Sequence, residues 1–196
     1  KKLDLMFSEQ SETTGRHQVD ITGLIGQYAH GNEPSHHVAY LYNYVGKPEK
    51  TKKIVHYILD EFYPNSPDGL IGNADCGQMS AWYVLSAMGF YPVCSGNGEY
   101  ALGTPVFDEV TIKLDNGNSF RIQAKRRKAG DYYIQSAALN GKNHAQACLR
   151  HSDILKGGSF QLVLDGVPNK RWGVSPANMP ATAITDKLIV ASPYFD

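Results

Sequence analysis

EVTIKLDNGNSFRIQA, residues 109–124, alternates apolar and polar side chains on both sides of an Asn-Gly pair. Val110, Ile112 and Leu114 point one way, and Phe120 and Ile122 resume the pattern beyond Asn116-Gly117. A period of two marks a half-buried strand, and Asn-Gly supplies the positive φ angles of a tight hairpin turn. The stretch therefore reads as a β-hairpin. Towards the C-terminus the same signals recur in DYYIQSAALNG (131–141), which holds a second Asn-Gly pair, in SFQLVLDG (159–166) and in KLIVAS (187–192). Residues 99–196 are accordingly expected to form an antiparallel β-sandwich-like module.

Towards the N-terminus the period lengthens. PEKTKKIVHYILDEFY (48–63) places Ile54, Val55, Ile58, Leu59 and Phe62 at i, i+1, i+4, i+5 and i+8, one face of an α-helix. A helix is also expected over Gln78–Met88, stopped by Gly89 and Pro92, and another after Pro34, which suits a first helical position, ending before Gly46. The fold class is α+β, helices first and sheet second. The one boundary falls near residues 93–103, which divides the chain into 1–98 and 99–196.

Composition narrows the function. With 42% hydrophobic and 11% aromatic residues, the 196-residue chain can bury a sizeable core. Lys+Arg and Asp+Glu are both 19, net charge zero, and no basic stripe stands out, so nucleic acid is not an expected partner. No apolar run approaches the roughly 20 residues of a membrane span, and KKLDLMFSEQ lacks the apolar core of a signal peptide. Leu3, Leu5, Met6 and Phe7 resemble mid-domain sequence, so a piece of a longer protein is expected. Cys76, Cys94 and Cys148 have no metal-binding spacing and read as mostly buried thiols.

Chemistry, if present, sits at the helix starts. Asp75 and Gln78 fit the D-x-x-Q spacing of a capping box, and Glu33 stands before a helix, where the macrodipole favours a carboxylate without any catalytic role. Each acid lies in a Gly-Asn context, GNE at 31–33 and GNAD at 72–75, at the loop end of a helix. Paired placement of this kind suits a carboxylate site, so cap and reagent stay open for Asp75. On a helix His36 shares the face of Glu33 at i+3, and His37 points elsewhere. His17, His30 and His56 carry no further pattern, and His144 and His151 are assigned nothing. Tyr40, Tyr42 and Tyr44, with Trp82 and Tyr83, read as packing rather than sugar stacking.

DITGLIGQYAHGNEPSHH (20–37), PDGLIGNADCGQMSAWYVLSAMGFYPV (67–93) and YALGTPVFDEVTI (100–112) together closely resemble the catalytic domain of glycoside hydrolase family 92, the calcium-dependent exo-α-mannosidases. NGNSFRIQA, YIQSAALNG, HSDILKGG and PNKRWG resemble the family's terminal β-region. The resemblance implies that the chain holds the last helical hairpins of an (α/α)6 barrel followed by the β-module. It implies an inverting reaction on a mannose-containing glycan, with Asp75 at the position of the general base. Such enzymes place the acid and the base roughly 6.5–9.5 Å apart to admit a water. Many members carry a second carboxylate two residues earlier, where this chain has Asn73, which cannot ionise.

The resemblance also implies substrate contacts. Asn32-Glu33-Pro34 is similar to an HEP-type motif that contacts the leaving mannose in α-1,2-specific members, with Asn in place of His. Calcium binds the mannose 2- and 3-hydroxyls in the family, and Glu33, Asp75 and position 36 are the local candidates to hold it. An imidazole suits calcium poorly, so His36 is expected to act through its carbonyl or a water. The family's general acid lies upstream of this segment, and nothing around Glu9 or Glu12 reproduces its motif. The 196 residues alone are therefore expected to be inactive without the N-terminal part of the same polypeptide. The resemblance also implies a secreted, periplasmic or cell-surface location in a bacterium. The alternative is a non-catalytic carbohydrate-binding module, which the β-half and its aromatics could serve.

Overall fold

The computed structural model of the chain describes residues 1–11 and 21–182. Its elements are α1 (Lys2–Ser8), β1 (Leu24–Ile25), β2 (Tyr28–Ala29), α2 (Pro48–Glu61), α3 (Gln78–Met88), β3 (Phe90–Tyr91), β4 (Glu99–Leu102), β5 (Glu109–Lys113), β6 (Ser119–Arg126), β7 (Tyr133–Leu139), β8 (Lys142–Asn143), β9 (Cys148–Arg150), α4 (His151–Leu155) and β10 (Gly158–Asp165). The expected strand KLIVAS lies outside the described residues.

Pro48 stands at the first turn of α2, where its missing N–H is no loss. Val55, Ile58, Leu59 and, just beyond the helix, Phe62 are buried, as the spacing requires. α3 ends at Gly89, which has φ +98° and whose added Cβ would stand 2.7 Å from Pro105. Both conformation and space demand glycine there. The helix expected after Pro34 is instead two 3-10 helices, Glu33–Ser35 and Val38–Val45. In that tighter winding residues three apart share a face. Tyr40 and Asn43 use it: Tyr40 Oη donates to Ser86 Oγ at 2.8 Å, and Asn43 Nδ2 donates to the carbonyls of Leu102 and Ala147 at 2.9 and 3.0 Å. The aromatic and β-branched composition has a weak α preference, so these tertiary bonds decide the winding.

The large sheet has the strand order β5-β6-β10-β7-β8. β10 runs parallel to β6, with Phe160 opposite Ile122, and antiparallel to β7. The all-antiparallel expectation is corrected here, because alternation reports which face of a strand is buried and says nothing of its neighbour's direction. The β5–β6 hairpin forms as expected, with Ile112 opposite Phe120. A smaller antiparallel sheet has the order β3-β4-β9. Phe120, Ile122, Phe160, Leu162 and Leu164 of the large sheet pack against Leu102 and Leu149 of the small one.

A second apolar cluster surrounds Trp82 and includes Tyr28, Tyr40, Val55 and Ile58. The two cores share a wall. Phe90 and Tyr91 are consecutive in β3 and face opposite ways, the first into the sheet core and the second into the helical core, and Leu102 and Ala101 of β4 do the same. Lys52 of α2 reaches this wall too, donating to the Leu102 carbonyl at 2.8 Å with its ammonium 5.2 Å from the Trp172 ring centroid. Of the three cysteines only Cys148 is buried. Cys76 and Cys94 are exposed because they sit in the turns that precede α3 and a short 3-10 helix, Ser95–Asn97, not in the strands or helices themselves.

Candidate active site

The β1–β2 hairpin delivers the first candidate loop. His30 N–H donates to the Gly23 carbonyl and Gly31 N–H to that of Thr22, each at 3.0 Å, which sets Asn32 and Glu33 at the hairpin's exit. The second loop runs from the end of α2 to α3. A Cβ added to Gly72 would come within 3.3 Å of Gly31 Cα and 3.1 Å of Thr22 Oγ1. The glycines of the two Gly-Asn contexts thus abut, and glycine is what lets the backbones approach. The structure thereby brings together the loops that carry Asn32, Glu33, Asn73 and Asp75.

Asp75 and Asn73 are exposed, as is Asn32. Asp75 does not cap α3. The residue before the helix is Gly77, and no side chain caps the first turn. Asp75, Cys76 and Gly77 have φ of +37°, +55° and +85°, three left-handed residues in succession. Two of them are not glycine, and each such residue costs of order 1 kcal/mol or more, so the surrounding packing must hold the loop in place. That packing starts at the first turn of α3, where Met79 is buried and its N–H donates to the Ala74 carbonyl at 3.1 Å. Gln78 also departs from the capping-box expectation: its amide turns inward, to Tyr91 Oη at 3.0 Å and His36 Nδ1 at 3.4 Å.

A buried polar chain runs through His30. Tyr28 Oη lies 2.8 Å from His30 Nδ1, His30 Nε2 lies 2.7 Å from Tyr63 Oη, and Tyr63 Oη reaches the Met79 sulfur at 3.0 Å and the Met79 carbonyl at 3.2 Å. Burial, with the nearby His36, pushes the His30 pKa down to about 3 and keeps the ring neutral. His36 stacks on His30 with centroids 4.6 Å apart, and Trp82 meets His30 edge-on at 4.4 Å. Trp82 Nε1 donates to the His36 carbonyl at 3.0 Å. His30, Tyr63 and Trp82 pack on one another in the helical core. The sequence holds no periodic signal for His30 or Tyr63, and the only hint is the density of aromatics.

Glu33 is half-buried, and its Oε1 has no hydrogen-bond partner; Thr22 Oγ1, against Gly72, has none either. A cavity of about 690 Å³ lies elsewhere, lined by Tyr44, Glu99, His144, Cys148 and Arg150.

Comparison with known proteins decides the family: the glycosyl hydrolase family 92 catalytic domain model matches residues 1–166. The chain belongs to glycosyl hydrolase family 92. Among solved family 92 structures, the α-mannosidase BT3965 from Bacteroides thetaiotaomicron in complex with mannoimidazole is 40% identical, with a TM-score of 0.88 over 93% of this chain and 24% of that one. The inverting mannosidase BT2199 from the same organism is also 40% identical, with a TM-score of 0.77 over 91% of this chain and 25% of that one. An uncharacterized secreted glycosidase of Arthroderma benhamiae is 32% identical over 153 residues, 76% of this chain and 20% of that protein. The chain thus spans about a quarter of the length of its solved family 92 relatives.

The calcium ion that the family resemblance implies can be tested against the donors on this chain. Calcium takes about six to eight oxygen ligands. The unpartnered oxygens of Glu33 and Thr22 are of the right kind. His36 offers no free ring nitrogen, since Nε2–H donates to the His30 carbonyl at 3.0 Å and Nδ1 faces Gln78. Among the described residues, no group of three or more His, Cys, Asp and Glu side chains converges. The donors fit a hard cation in chemistry and leave most of its shell to water, main-chain carbonyls and sugar hydroxyls.

Proposed function

We propose that this chain supplies the water-activating side of the active site of an inverting, calcium-dependent exo-α-mannosidase, with Asp75 as the general base. The observation that carries this reading is the meeting of the two Gly-Asn loops at Gly31 and Gly72, one loop carrying an exposed Asp75 in left-handed backbone and the other a Glu33 whose Oε1 has no partner. Backbone strain of this kind clusters at functional sites, and the carboxylate that it carries here is exposed. The mannosidase relatives at 40% identity support the substrate class.

In this mechanism the Asp75 carboxylate takes a proton from water as the water oxygen bonds to the anomeric carbon. The bond from that carbon to the leaving oxygen breaks, and the leaving oxygen takes its proton from an acid supplied upstream of this segment, so configuration inverts. Asn73 helps hold the water through its amide and cannot share the base role. Asn32 and Glu33 hydrogen-bond hydroxyls of a terminal, α-1,2-linked mannose. Glu33 would be the side chain of this chain that holds the calcium ion, which would supply a hard cation to order the sugar hydroxyls. α1, α2 and α3 are the end of an (α/α)6 barrel, and the β-module clamps it. The protein acts on N-glycans or mannan outside the bacterial cytoplasm; the relative named as secreted supports export alone.

The test uses the full-length polypeptide and α-1,2-mannobiose, with proton NMR to see which mannose anomer appears first. Initial release of β-mannose, lost on chelation and restored by calcium, is expected. Initial α-mannose would overturn inversion, and release indifferent to chelation would remove calcium from the account.

A further inference from the structure

Gln78 opens α3 three residues after Asp75, and its backbone N–H donates to the Asp75 carbonyl at 3.1 Å. His36 ends the 3-10 turn that begins at Glu33, and its N–H donates to the Glu33 carbonyl at 3.0 Å. Each residue is therefore tied by backbone to one of the two candidate carboxylate residues. Their side chains meet between the loops, Gln78 Nε2 lying 3.4 Å from His36 Nδ1.

The tautomer makes that contact directional. His36 Nε2 faces the His30 carbonyl at 3.0 Å and can only donate to it, so Nδ1 carries the lone pair and accepts. The two hydrogens of the Gln78 amide then have two acceptors, Tyr91 Oη at 3.0 Å and His36 Nδ1. The imidazole cannot tilt away. It is 1% exposed, stacked on His30, and its carbonyl accepts from Trp82 Nε1. The first turn of α3 lacks a side-chain cap, and the residues before it are left-handed, so the Gln78 side chain ties the start of α3 to the other loop.

We propose that Gln78 is a positioning residue, which through His36 fixes the Asp75 loop against the Glu33 loop. This rests on the reading of Asp75 as the base. The Gly31–Gly72 approach brings the loops together by backbone, and the Gln78–His36 contact sets how they are turned relative to each other.

The experiment measures mannose release from α-1,2-mannobiose by the full-length polypeptide with Gln78→Met, His36→Leu and both together, beside wild type and Asp75→Asn. Gln78→Met keeps length and apolar contact and removes both donors. A misplacement of about 1 Å can cost of order 100-fold in rate, so kcat is expected to fall about 10- to 100-fold with KM within about threefold. Because Gln78 acts through His36, the double variant is expected to lose no more than the worse single variant. Should Gln78→Met fail to fold, Gln78→Asn keeps the amide one methylene short of His36 and carries the same expectation. The proposal is overturned if kcat stays within about threefold while Asp75→Asn is inactive, or if the two single losses multiply. A wild-type protein that releases no mannose overturns the reading beneath it, a distinct result.

Discussion

At the residue scale, His30 and Asp75 show opposite uses of local cost. His30 is 0% exposed and stays neutral with a pKa near about 3, while the unfolded chain protonates the same ring near about 6.5. As pH falls from 6.5 towards 3 the unfolded state binds a proton that the native state refuses. The contribution of neutral His30 is thus intact above 6.5 and is lost at about 1.4 kcal/mol per pH unit below it. Urea unfolding at several pH values checks this, and His30→Asn is expected to flatten the acid slope while lowering stability at pH 7. Asp75 carries its cost in the backbone, at φ +37°. Asp75→Gly relieves that conformation and is expected to leave the thermal midpoint unchanged or raised while turnover is lost, the pattern of a residue kept for function. A clear drop in the midpoint would instead make the carboxylate structural.

At the scale of elements, glycines separate space from conformation. Gly89 and Gly77 both have positive φ, but an added Cβ would strike Pro105 at 2.7 Å in the first case and meet nothing within 4 Å in the second. Gly89→Ala is expected to destabilise by more than about 2 kcal/mol and Gly77→Ala by about 1 kcal/mol, as read from denaturant midpoints. Elements defined by neighbours in sequence were readable beforehand: the α2 apolar face, the Gln78–Met88 helix and the hairpin around Asn116-Gly117. Elements defined by distant partners were not. The 3-10 winding of Val38–Val45 follows from bonds to Ser86, Leu102 and Ala147, and the parallel pairing of β10 with β6 joins strands on either side of β7 and β8. The same limit applies to the site. Asp75 and Glu33 stood out by their Gly-Asn contexts, but the contact of Gly31 with Gly72 and the inward turn of Gln78 depend on tertiary packing that no local spacing encodes.

At the scale of the molecule, β3 and β4 form a wall with one apolar core on each side, and buried Lys52 ties α2 to it. Burial lowers the Lys52 pKa to about 7, so between pH 10.5 and 7 the unfolded chain binds a proton that the native state does not, and stability falls as pH drops through that window. Below 7 both states are charged, and a buried charge is a net cost. Lys52→Met is therefore expected to hold or raise stability at pH 6, by about 1 kcal/mol, in denaturant unfolding. A loss of several kcal/mol would show that the bond to Leu102 outweighs burial. Catalysis is expected from the whole polypeptide and not from residues 1–196 alone, and a mannose-release assay on both separates the two.

The most direct measurement is kcat/KM of the full-length polypeptide on α-1,2-mannobiose with and without Asp75→Asn, a change that keeps shape and tolerates left-handed backbone. A general base is worth about 10²- to 10⁴-fold, and a loss in that range with the thermal midpoint retained is the predicted result. Activity within about tenfold of wild type would contradict the assignment of Asp75 as the group that activates water.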